Sequence, residues 1–202
     1  MSLFQGLKVI DCGSFIAAPI AATLLGDFGA DVIKIEPPGA GDPNRVLPRL
    51  PGMPKTEHAY SWLLDNRNKR GIALDLAKPD GQAVLHRLAA QADVFITNYP
   101  LAVRKKLALD YDRLAALNER LVYASFTGYG ETGAEAAKPG FDATAYWARS
   151  GLMDLVRSDA GTAPARGVAG MGDHPSGVSL FAAIVLALYQ RERSGRGAQV
   201  GS

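Results

Sequence analysis

Short apolar runs alternate along the chain with longer segments of helical periodicity. Glycine, proline or charged residues bound each run, as is typical of a buried strand between turns. The runs that predict strands are Leu7–Cys12, Asp31–Glu36, Gly71–Leu76, Asp93–Thr97 and Leu121–Phe126. Because these runs hold few polar residues, we expect both faces of the resulting sheet to be covered.

Helical patterns separate these runs. Apolar residues recur at helical spacing in Ala17–Leu25, Glu57–Asp65, Lys78–Ala92, Tyr111–Asn118, Asp142–Ser150 and a last segment from Asp173 to about Arg193. The proline- and glycine-rich stretch from Pro38 to Glu57 is predicted as a long loop. Strands that alternate with helices predict an α/β, Rossmann-like fold, a parallel sheet of at least five strands with helices on both faces. No repeat divides the chain, so residues 1–202 are predicted to form one domain.

Asp173 lies where a glycine-containing loop is predicted to become a helix. A carboxylate there can be a simple N-cap of the unpaired backbone N–H groups, and Pro175 in the first turn fits that interpretation. The positive end of the helix can equally keep an accessible carboxylate ionised for chemistry, and its N–H groups can stabilise an oxyanion. The residues alone leave both interpretations open.

Composition and charge restrict the possible partners. The chain has 48% apolar and 21% charged residues and a net charge of +2, which predicts a globular protein without a nucleic-acid or membrane-surface partner. The mild positive charge suits an anionic small ligand. One cysteine, Cys12, and three histidines without ligand spacing predict no disulfide framework and no metal site. The N-terminus has no signal-peptide pattern, so we expect a cytoplasmic location.

Cationic residues cluster in the turn Asn66–Arg70, in Arg104–Lys106 and at Arg45. Such side chains can hold a polyphosphate through charge-assisted hydrogen bonds, or they can be solvated surface groups. A dinucleotide fingerprint is not present, because Asp11–Ala17 contains one glycine where that motif needs three. The glycines of Thr127–Gly133 match such spacing only in part, and a flexible loop is the simpler interpretation.

Several short motifs occur in a fixed order along nearly the whole chain. They are Phe15–Pro19, Gly29–Gly39, Gly41–Arg45, Asn68–Arg70, Thr97–Tyr99, Thr127–Gly133, Pro139–Asp142, Gly172–Asp173 and Ser194–Gly197. Together they resemble the N-terminal half of the class III (CaiB/BaiF-type) CoA-transferases. The similarity is greatest to the branch that acts on 2-hydroxy acids and aryl-lactates, judged from Phe15–Pro19, Pro139–Asp142 and Gly172–His174.

The resemblance implies an activity and a set of site residues. Asp173 matches the nucleophile that forms a mixed anhydride with the acyl group and then a thioester with coenzyme A. The implied CoA-site residues are Arg45, Asn66, Arg67, Asn68, Lys69, Asn98, Tyr99 and Lys106. The implied partners are acyl-CoA and carboxylate substrates, with no metal, in an interlocked homodimer. Two positions depart from the family pattern, since Pro37 replaces an arginine and Ile16 replaces a glutamine.

Two other functions remain alternatives at this point. An acyl-CoA racemase of related sequence would need a histidine in its proton-transfer segment, where this chain has Phe141. The family's small domain and its return to the large domain are absent from these residues, so we expect a fragment or one half of a split protein. Such a half can be an inactive CoA-binding piece.

Overall fold

The computed structural model describes residues 2–202 as strands and helices in close alternation. In chain order they are β1 (Lys8–Asp11), α1 (Ala17–Asp27), β2 (Asp31–Glu36), a 3₁₀-helix (Pro43–Arg49), α2 (Tyr60–Asn66), β3 (Lys69–Ala73), α3 (Pro79–Ala89), β4 (Val94–Thr97), α4 (Leu101–Lys106), α5 (Tyr111–Leu117), β5 (Val122–Ser125), a π-helix (Asp142–Ala148), α6 (Leu152–Leu155), α7 (Asp173–Ser194) and β6 (Gln199–Gly201). Within the described residues, none of the helices is both long and apolar enough to cross a membrane.

The six strands form one parallel sheet in the order β3-β2-β1-β4-β5-β6. This arrangement confirms the predicted α/β, Rossmann-like fold. The strand order reverses between β1 and β4, so the connections that leave these neighbouring strands diverge and open a crevice at their carboxyl ends. The segments after β1 and β4, which begin at Cys12 and Asn98, therefore border the expected ligand-binding edge.

Side chains of successive strand residues point to opposite faces of the sheet and build two cores. Val9 of β1 belongs to the core that α1 and α7 cover, while the next residue, Ile10, belongs to the core that α3 and α5 cover. The first core includes Val32, Val94, Val122, Leu180 and Ile184, and the second includes Ile35, Leu85, Phe95, Leu114 and Tyr123. Burial of each such aliphatic side chain contributes about 1.5–3 kcal/mol before the entropy cost of folding.

Four details differ from the sequence-based predictions. Strand β3 spans Lys69–Ala73 instead of Gly71–Leu76, because the edge of the sheet accommodates the polar residues that the apolar pattern excluded. The predicted loop from Pro38 to Glu57 contains a 3₁₀-helix, whose N-cap Asp42 accepts a hydrogen bond from the Asn44 N–H. The predicted helix near Asp142 is a π-helix, and β6 was too short and too polar to be recognised.

Helices α1 and α7 approach each other closely where small residues meet. Gly177 of α7 faces the backbone of α1, and a Cβ atom at Gly177 would lie 2.6 Å from the Ala17 carbonyl oxygen and 2.8 Å from Ile20 Cγ2. The backbone of α1 cannot move aside as the end of a flexible side chain can. The first turn of α7 therefore depends on glycine for its position on the sheet.

We predict that Gly177→Ala lowers the stability of the protein by about 1–2 kcal/mol, because overlap with α1 outweighs the gain of about 1 kcal/mol in helix propensity. Thermal unfolding measures the effect. Ser179→Ala, an exposed change in the same helix, is the matched control and should be neutral or mildly stabilising. An increase in melting temperature for Gly177→Ala would show that the two helices are not in tight contact there.

Candidate active site

Asp173 is the first residue of α7, as the sequence predicted, but it does not cap the helix. Gly172 occupies the N-cap position, and no side-chain hydrogen bond caps this end. Among the described residues, the Asp173 carboxylate has no hydrogen-bond partner, so the N-cap interpretation is wrong. The N–H groups of His174 and Ser176 donate to the carbonyl oxygens of Gly170 and Gly172. Those two groups are thus occupied, contrary to the expectation that they would stabilise an oxyanion.

Asp142 holds the glycine loop that leads to Asp173. Its Oδ2 accepts from the Gly170 N–H at 2.8 Å, and its Oδ1 accepts from the Gly172 N–H at 2.7 Å. A Cβ atom at Gly172 would lie 2.4 Å from Asp142 Oδ1, so only glycine fits at this position. Asp142 is a site residue that the sequence analysis did not select, although it ends one of the quoted motifs.

The protein environment raises the pKa of Asp173 above that of an ordinary aspartate. Burial of the half-exposed side chain, followed by the charges of Asp142 and Asp65, raises the pKa of Asp173 to about 6, while His174 opposes the rise. At pH 7 the carboxylate is still mostly ionised, and it is more basic than a solvated one, which suits a nucleophile.

His174 connects α7 to α2. Its Nδ1 lies 2.8 Å from the Gly170 carbonyl oxygen, and its Nε2 lies 3.0 Å from Asp65 Oδ1. The other Asp65 oxygen accepts from Asn44 Nδ2 at 3.0 Å. Asp65 is buried, whereas the His174 side chain is 38% exposed. The residue next to the candidate nucleophile is therefore fixed by a buried carboxylate.

A buried polar network continues from Asn44 into the sheet. Asp42 accepts hydrogen bonds from the N–H groups of Phe15 and Asn44 and forms an ion pair with Lys34 Nζ at 3.0 Å. Lys34 also lies 3.5 Å from Asp11 Oδ2 and donates to the Gly13 carbonyl oxygen at 2.7 Å. These contacts join the end of β1, the 3₁₀-helix and α2 into one support for the site.

Phe15 has the left-handed backbone conformation that side chains rarely adopt, with φ +61°. The Asn44 amide donates to its carbonyl oxygen at 2.9 Å, and its N–H donates to Asp42 at 3.0 Å. Backbone strain of this kind persists only where surrounding contacts fix it, and it is frequent at functional sites. Its ring packs edge-on against exposed Phe141, with 6.4 Å between centroids. Phe141 directly precedes Asp142 in sequence, so the pair borders the loop that carries Asp173.

Lys69, a predicted CoA-site residue, directs its ammonium group into the domain. The Nζ atom contacts Asp11 Oδ2 at 2.8 Å, the Pro19 carbonyl at 2.8 Å, and the Asp65 carbonyl and Asn66 Oδ1 at 3.0 Å each. Burial lowers the pKa of Lys69 to about 8, although Asp11 opposes this shift. The lysine stabilises the buried network in this structure.

Arg67 and Asn68 lie apart from Asn98 and Tyr99, two other predicted CoA-site residues. Both contact Asp27, the last residue of α1, with Arg67 Nε 3.1 Å from Oδ2 and Asn68 Nδ2 2.7 Å from Oδ1. They precede β3, whose first residue pairs with Val32 near the start of β2. This position is toward the amino edge of the sheet, opposite the carboxyl edge where Asn98 follows β4. The structure therefore does not gather the predicted cations into one phosphate clamp.

Asn98 and Tyr99 lie at the crevice where the strand order reverses. The Asn98 side chain pairs with the backbone of Ser14, accepting from its N–H and donating to its carbonyl oxygen, each at 2.8 Å. Tyr99 lines a cleft of about 180 Å³. Its other lining residues are Ile35, Glu36, Pro37, Leu74, Asp75, Leu76, Ala77 and Leu107. Burial raises the pKa of the Tyr99 hydroxyl, so this side chain remains neutral.

The last two predicted site residues, Arg45 and Lys106, differ in their partners. Arg45 forms two hydrogen bonds with Glu36, at 2.7 and 2.8 Å, and its guanidinium lies over the Trp62 ring. Lys106 is exposed and forms no ion pair with any described residue. It directly precedes Leu107, which lines the cleft beside Tyr99. Across residues 2–202, no three histidine, cysteine or acidic side chains are grouped so that they can hold a metal ion.

Comparisons with known proteins agree with this geometry. The model of CoA-transferase family III matches residues 4–202. The (R)-2-hydroxy-4-methylpentanoate CoA-transferase of Clostridioides difficile is 40% identical over 98% of this chain and 49% of its own. The cinnamoyl-CoA:phenyllactate CoA-transferase of Clostridium sporogenes is 42% identical over 98% of this chain and 48% of its own. The chain thus spans about half the length of these relatives.

A solved structure supports the same relationship. The crystal structure of a CaiB/BaiF family protein from Brucella suis superposes with a TM-score of 0.87 at 35% identity. The superposition covers 97% of this chain and 51% of the Brucella chain. With the family model matched over nearly the whole sequence, the chain belongs to CoA-transferase family III.

Proposed function

We propose that this protein transfers coenzyme A from an acyl-CoA to a carboxylic acid, with Asp173 as the nucleophile. The observation that carries the proposal is the Asp173 carboxylate itself, which is half-buried, without a hydrogen-bond partner, and raised in pKa to about 6. A structural carboxylate would be paired or fully solvated. Membership of the CoA-transferase family supports the same reaction.

The reaction divides one exchange into four acyl transfers. A carboxylate oxygen of Asp173 attacks the thioester carbonyl, the C–S bond breaks, and CoA leaves as the thiolate. The product is a mixed anhydride of Asp173 and the donor acid. The thiolate then attacks the Asp173 carbonyl carbon of this anhydride, and the donor acid departs as its carboxylate. The acceptor carboxylate attacks the resulting aspartyl thioester and expels the thiolate. Attack of the thiolate on the acceptor's acyl carbon gives the new acyl-CoA and restores the Asp173 carboxylate.

For coenzyme A, we propose that its nucleotide end occupies the cleft beside Tyr99. This cleft lies at the carboxyl ends of β2 and β4, its walls are largely apolar, and exposed Lys106 is adjacent to suit a phosphate. The thiol arm would pass the paired Ser14 and Asn98 to reach Asp173. Arg45 is a second cation at this edge, and it must share its guanidinium with Glu36. The roles of Asn66, Arg67, Asn68 and Lys69 in CoA binding stay predictions.

The acid substrate is proposed to be a 2-hydroxy acid with an apolar side chain. Two relatives bear the names of such acids, one branched and one aromatic. On this chain, the exposed rings of Phe15 and Phe141 border the loop that carries Asp173 and offer an apolar contact. Proton transfer by a racemase is disfavoured, because Phe141 has no exchangeable proton and Asp142 is bonded to two backbone N–H groups.

For the complete protein, the interlocked homodimer and the cytoplasmic location remain proposals from the sequence. Exposed apolar residues on α7, namely Val178, Leu186 and Tyr189, agree with a domain that packs against further protein.

We predict that Asp173→Asn abolishes CoA transfer, because an amide cannot form the anhydride. The folded protein should not lose stability at pH 8. The raised pKa of Asp173 means that ionisation penalises folding as the pH rises from about 4 to above 6, and the substitution removes this penalty. Steady-state transfer assays and thermal unfolding at pH 8 and pH 4 test both parts.

Asp112→Asn is the matched control, since Asp112 is an exposed acidic residue in the first turn of α5. It should retain normal transfer. If Asp173→Asn keeps more than a few per cent of the rate, and mass spectrometry excludes deamidation to aspartate, Asp173 is not the nucleophile.

The rate should depend on pH through the ionisation of Asp173. Only the carboxylate can attack, so kcat/KM for the acyl-CoA is expected to fall about tenfold per pH unit below about pH 6. A pH–rate profile at saturating acceptor acid measures this limb. A rate that stays constant down to pH 4.5 would mean that the nucleophile has an ordinary carboxyl pKa.

The Lys106→Glu substitution should weaken CoA binding about fivefold at low ionic strength, because an exposed phosphate contact is worth about 1 kcal/mol. The effect should shrink as salt screens it. Lys105→Glu makes the same change in net charge one residue earlier and is the control in a calorimetric titration with CoA. Equal losses for both variants would assign the effect to net charge and remove Lys106 from the site.

A further inference from the structure

We infer that His174 is a positioning residue whose ring, held between Gly170 and Asp65, carries a positive charge that keeps the adjacent nucleophile ionised. The inference rests on the proposed role of Asp173. No hydrogen bond joins His174 to the Asp173 carboxylate, so the effect is electrostatic.

The hydrogen bonds of His174 define the protonation of its ring. The Nδ1 atom lies 2.8 Å from the Gly170 carbonyl oxygen, which can only accept, so Nδ1 carries a proton. The Nε2 atom lies 3.0 Å from Asp65 Oδ1, which as a carboxylate can also only accept. Nε2 must then carry a proton as well. Two acceptors on two ring nitrogens require the imidazolium form.

The Asp65 side chain is buried, and a donor already binds one of its carboxylate oxygens. Oδ2 accepts from Asn44 Nδ2 at 3.0 Å, which leaves Oδ1 to His174. The orientation of the Asn44 amide is fixed, because its Oδ1 accepts from the Ser61 hydroxyl at 2.6 Å and its Nδ2 also donates to the Phe15 carbonyl. A buried carboxylate needs a countercharge. Lys69 Nζ hydrogen-bonds the Asp65 backbone oxygen and acts on the carboxylate only through its charge, so His174 is the candidate cation in direct contact with it.

The other charged groups around Asp173 and His174 are acidic or already paired. Asp142, from the π-helix, faces Asp173 and uses both oxygens on the glycine loop. Deeper in the network, Lys69 pairs with Asp11 and Lys34 pairs with Asp42. Tyr146 is a further titratable group at the loop, where its ring packs against Gly172, and exposed Arg166 precedes the loop in sequence.

His174 is thus the cation that balances three carboxylates. Without it, Asp65 and Asp142 would act on Asp173 unopposed, and the nucleophile would bind its proton at higher pH. His174 acts in this direction, since it lowers the pKa of Asp173, which burial, Asp142 and Asp65 raise. An opposite charge within about 4–6 Å typically changes a carboxyl pKa by about one unit or more.

The test measures the protonation of His174 and Asp173 by NMR and the pH dependence of kcat/KM in the same protein. In the wild type at pH 7, ¹⁵N spectra of labelled histidine should show both ring nitrogens of His174 protonated. In His174→Gln, whose amide can still donate to Asp65, the ¹³C titration of the Asp173 carboxyl should move up by about one pH unit. The acid limb of kcat/KM should move with it, and the rate should recover at high pH.

Asp65→Asn is the matched control. Its amide oxygen can face Asn44 while its NH₂ group donates to Nε2, so a neutral ring with a proton on Nδ1 fits the same geometry. The ¹⁵N spectrum should then show Nε2 unprotonated at pH 7. His174→Asn, which keeps the donor to Gly170, replaces the glutamine variant if that variant does not fold.

Either of two results would overturn the inference. The first is a neutral His174 ring in the wild type. The second is a His174→Gln variant that loses stability while the Asp173 titration and the acid limb of kcat/KM stay in place. The second result would make His174 a structural bridge between α7 and α2. Failure of the proposed function is separate, because it appears as transfer by Asp173→Asn, while the two titrations report on His174 without any turnover.

Discussion

The buried ion network at the end of β1 is the constraint on which the site depends. Burial raises the pKa of Asp11, whereas the charges of Lys34 and Lys69 lower it. The net result is a lowered pKa, so Asp11 stays charged at the centre of the sheet. Removing one partner from such a cluster typically costs about 3–5 kcal/mol, because an unpaired charge remains in the interior. Asp11 therefore depends on both lysines, and Asp42 completes the charge balance by pairing with Lys34.

The same network links the position of the sheet to the position of Asp173, the proposed nucleophile. Asp42 fixes Phe15 in a strained backbone conformation and orients Asn44, which in turn binds Asp65. Asp65 then holds His174, one residue beyond Asp173. Each link is a hydrogen bond of a buried side chain with few alternative partners. A loop rich in glycine would otherwise leave Asp173 poorly positioned, and Gly170 and Gly172 are additionally restrained by Asp142.

The predictable parts of this protein are those that periodicity and local sequence determine. The strands, the parallel sheet and the start of α7 at Asp173 were accessible because apolar patterns and glycine positions encode them. The partners of Lys69 were not, because its position in a basic turn suggested exposure, whereas parallel pairing with β2 directs its ammonium toward Asp11. Asp142 was missed as a site residue because its role depends on contact with backbone N–H groups distant in sequence.

The choice of histidine as the balancing cation has a physical reason. A lysine or arginine beside Asp173 would donate hydrogen bonds to its carboxylate and form a stable ion pair, which would lower both its pKa and its reactivity. The two N–H groups of the His174 ring are instead directed to Gly170 and Asp65. In the inferred imidazolium form, the ring therefore contributes charge without contacting the proposed nucleophile. Asp173 remains mostly ionised near neutral pH, yet its oxygens form no hydrogen bond, as the proposed attack on a thioester requires.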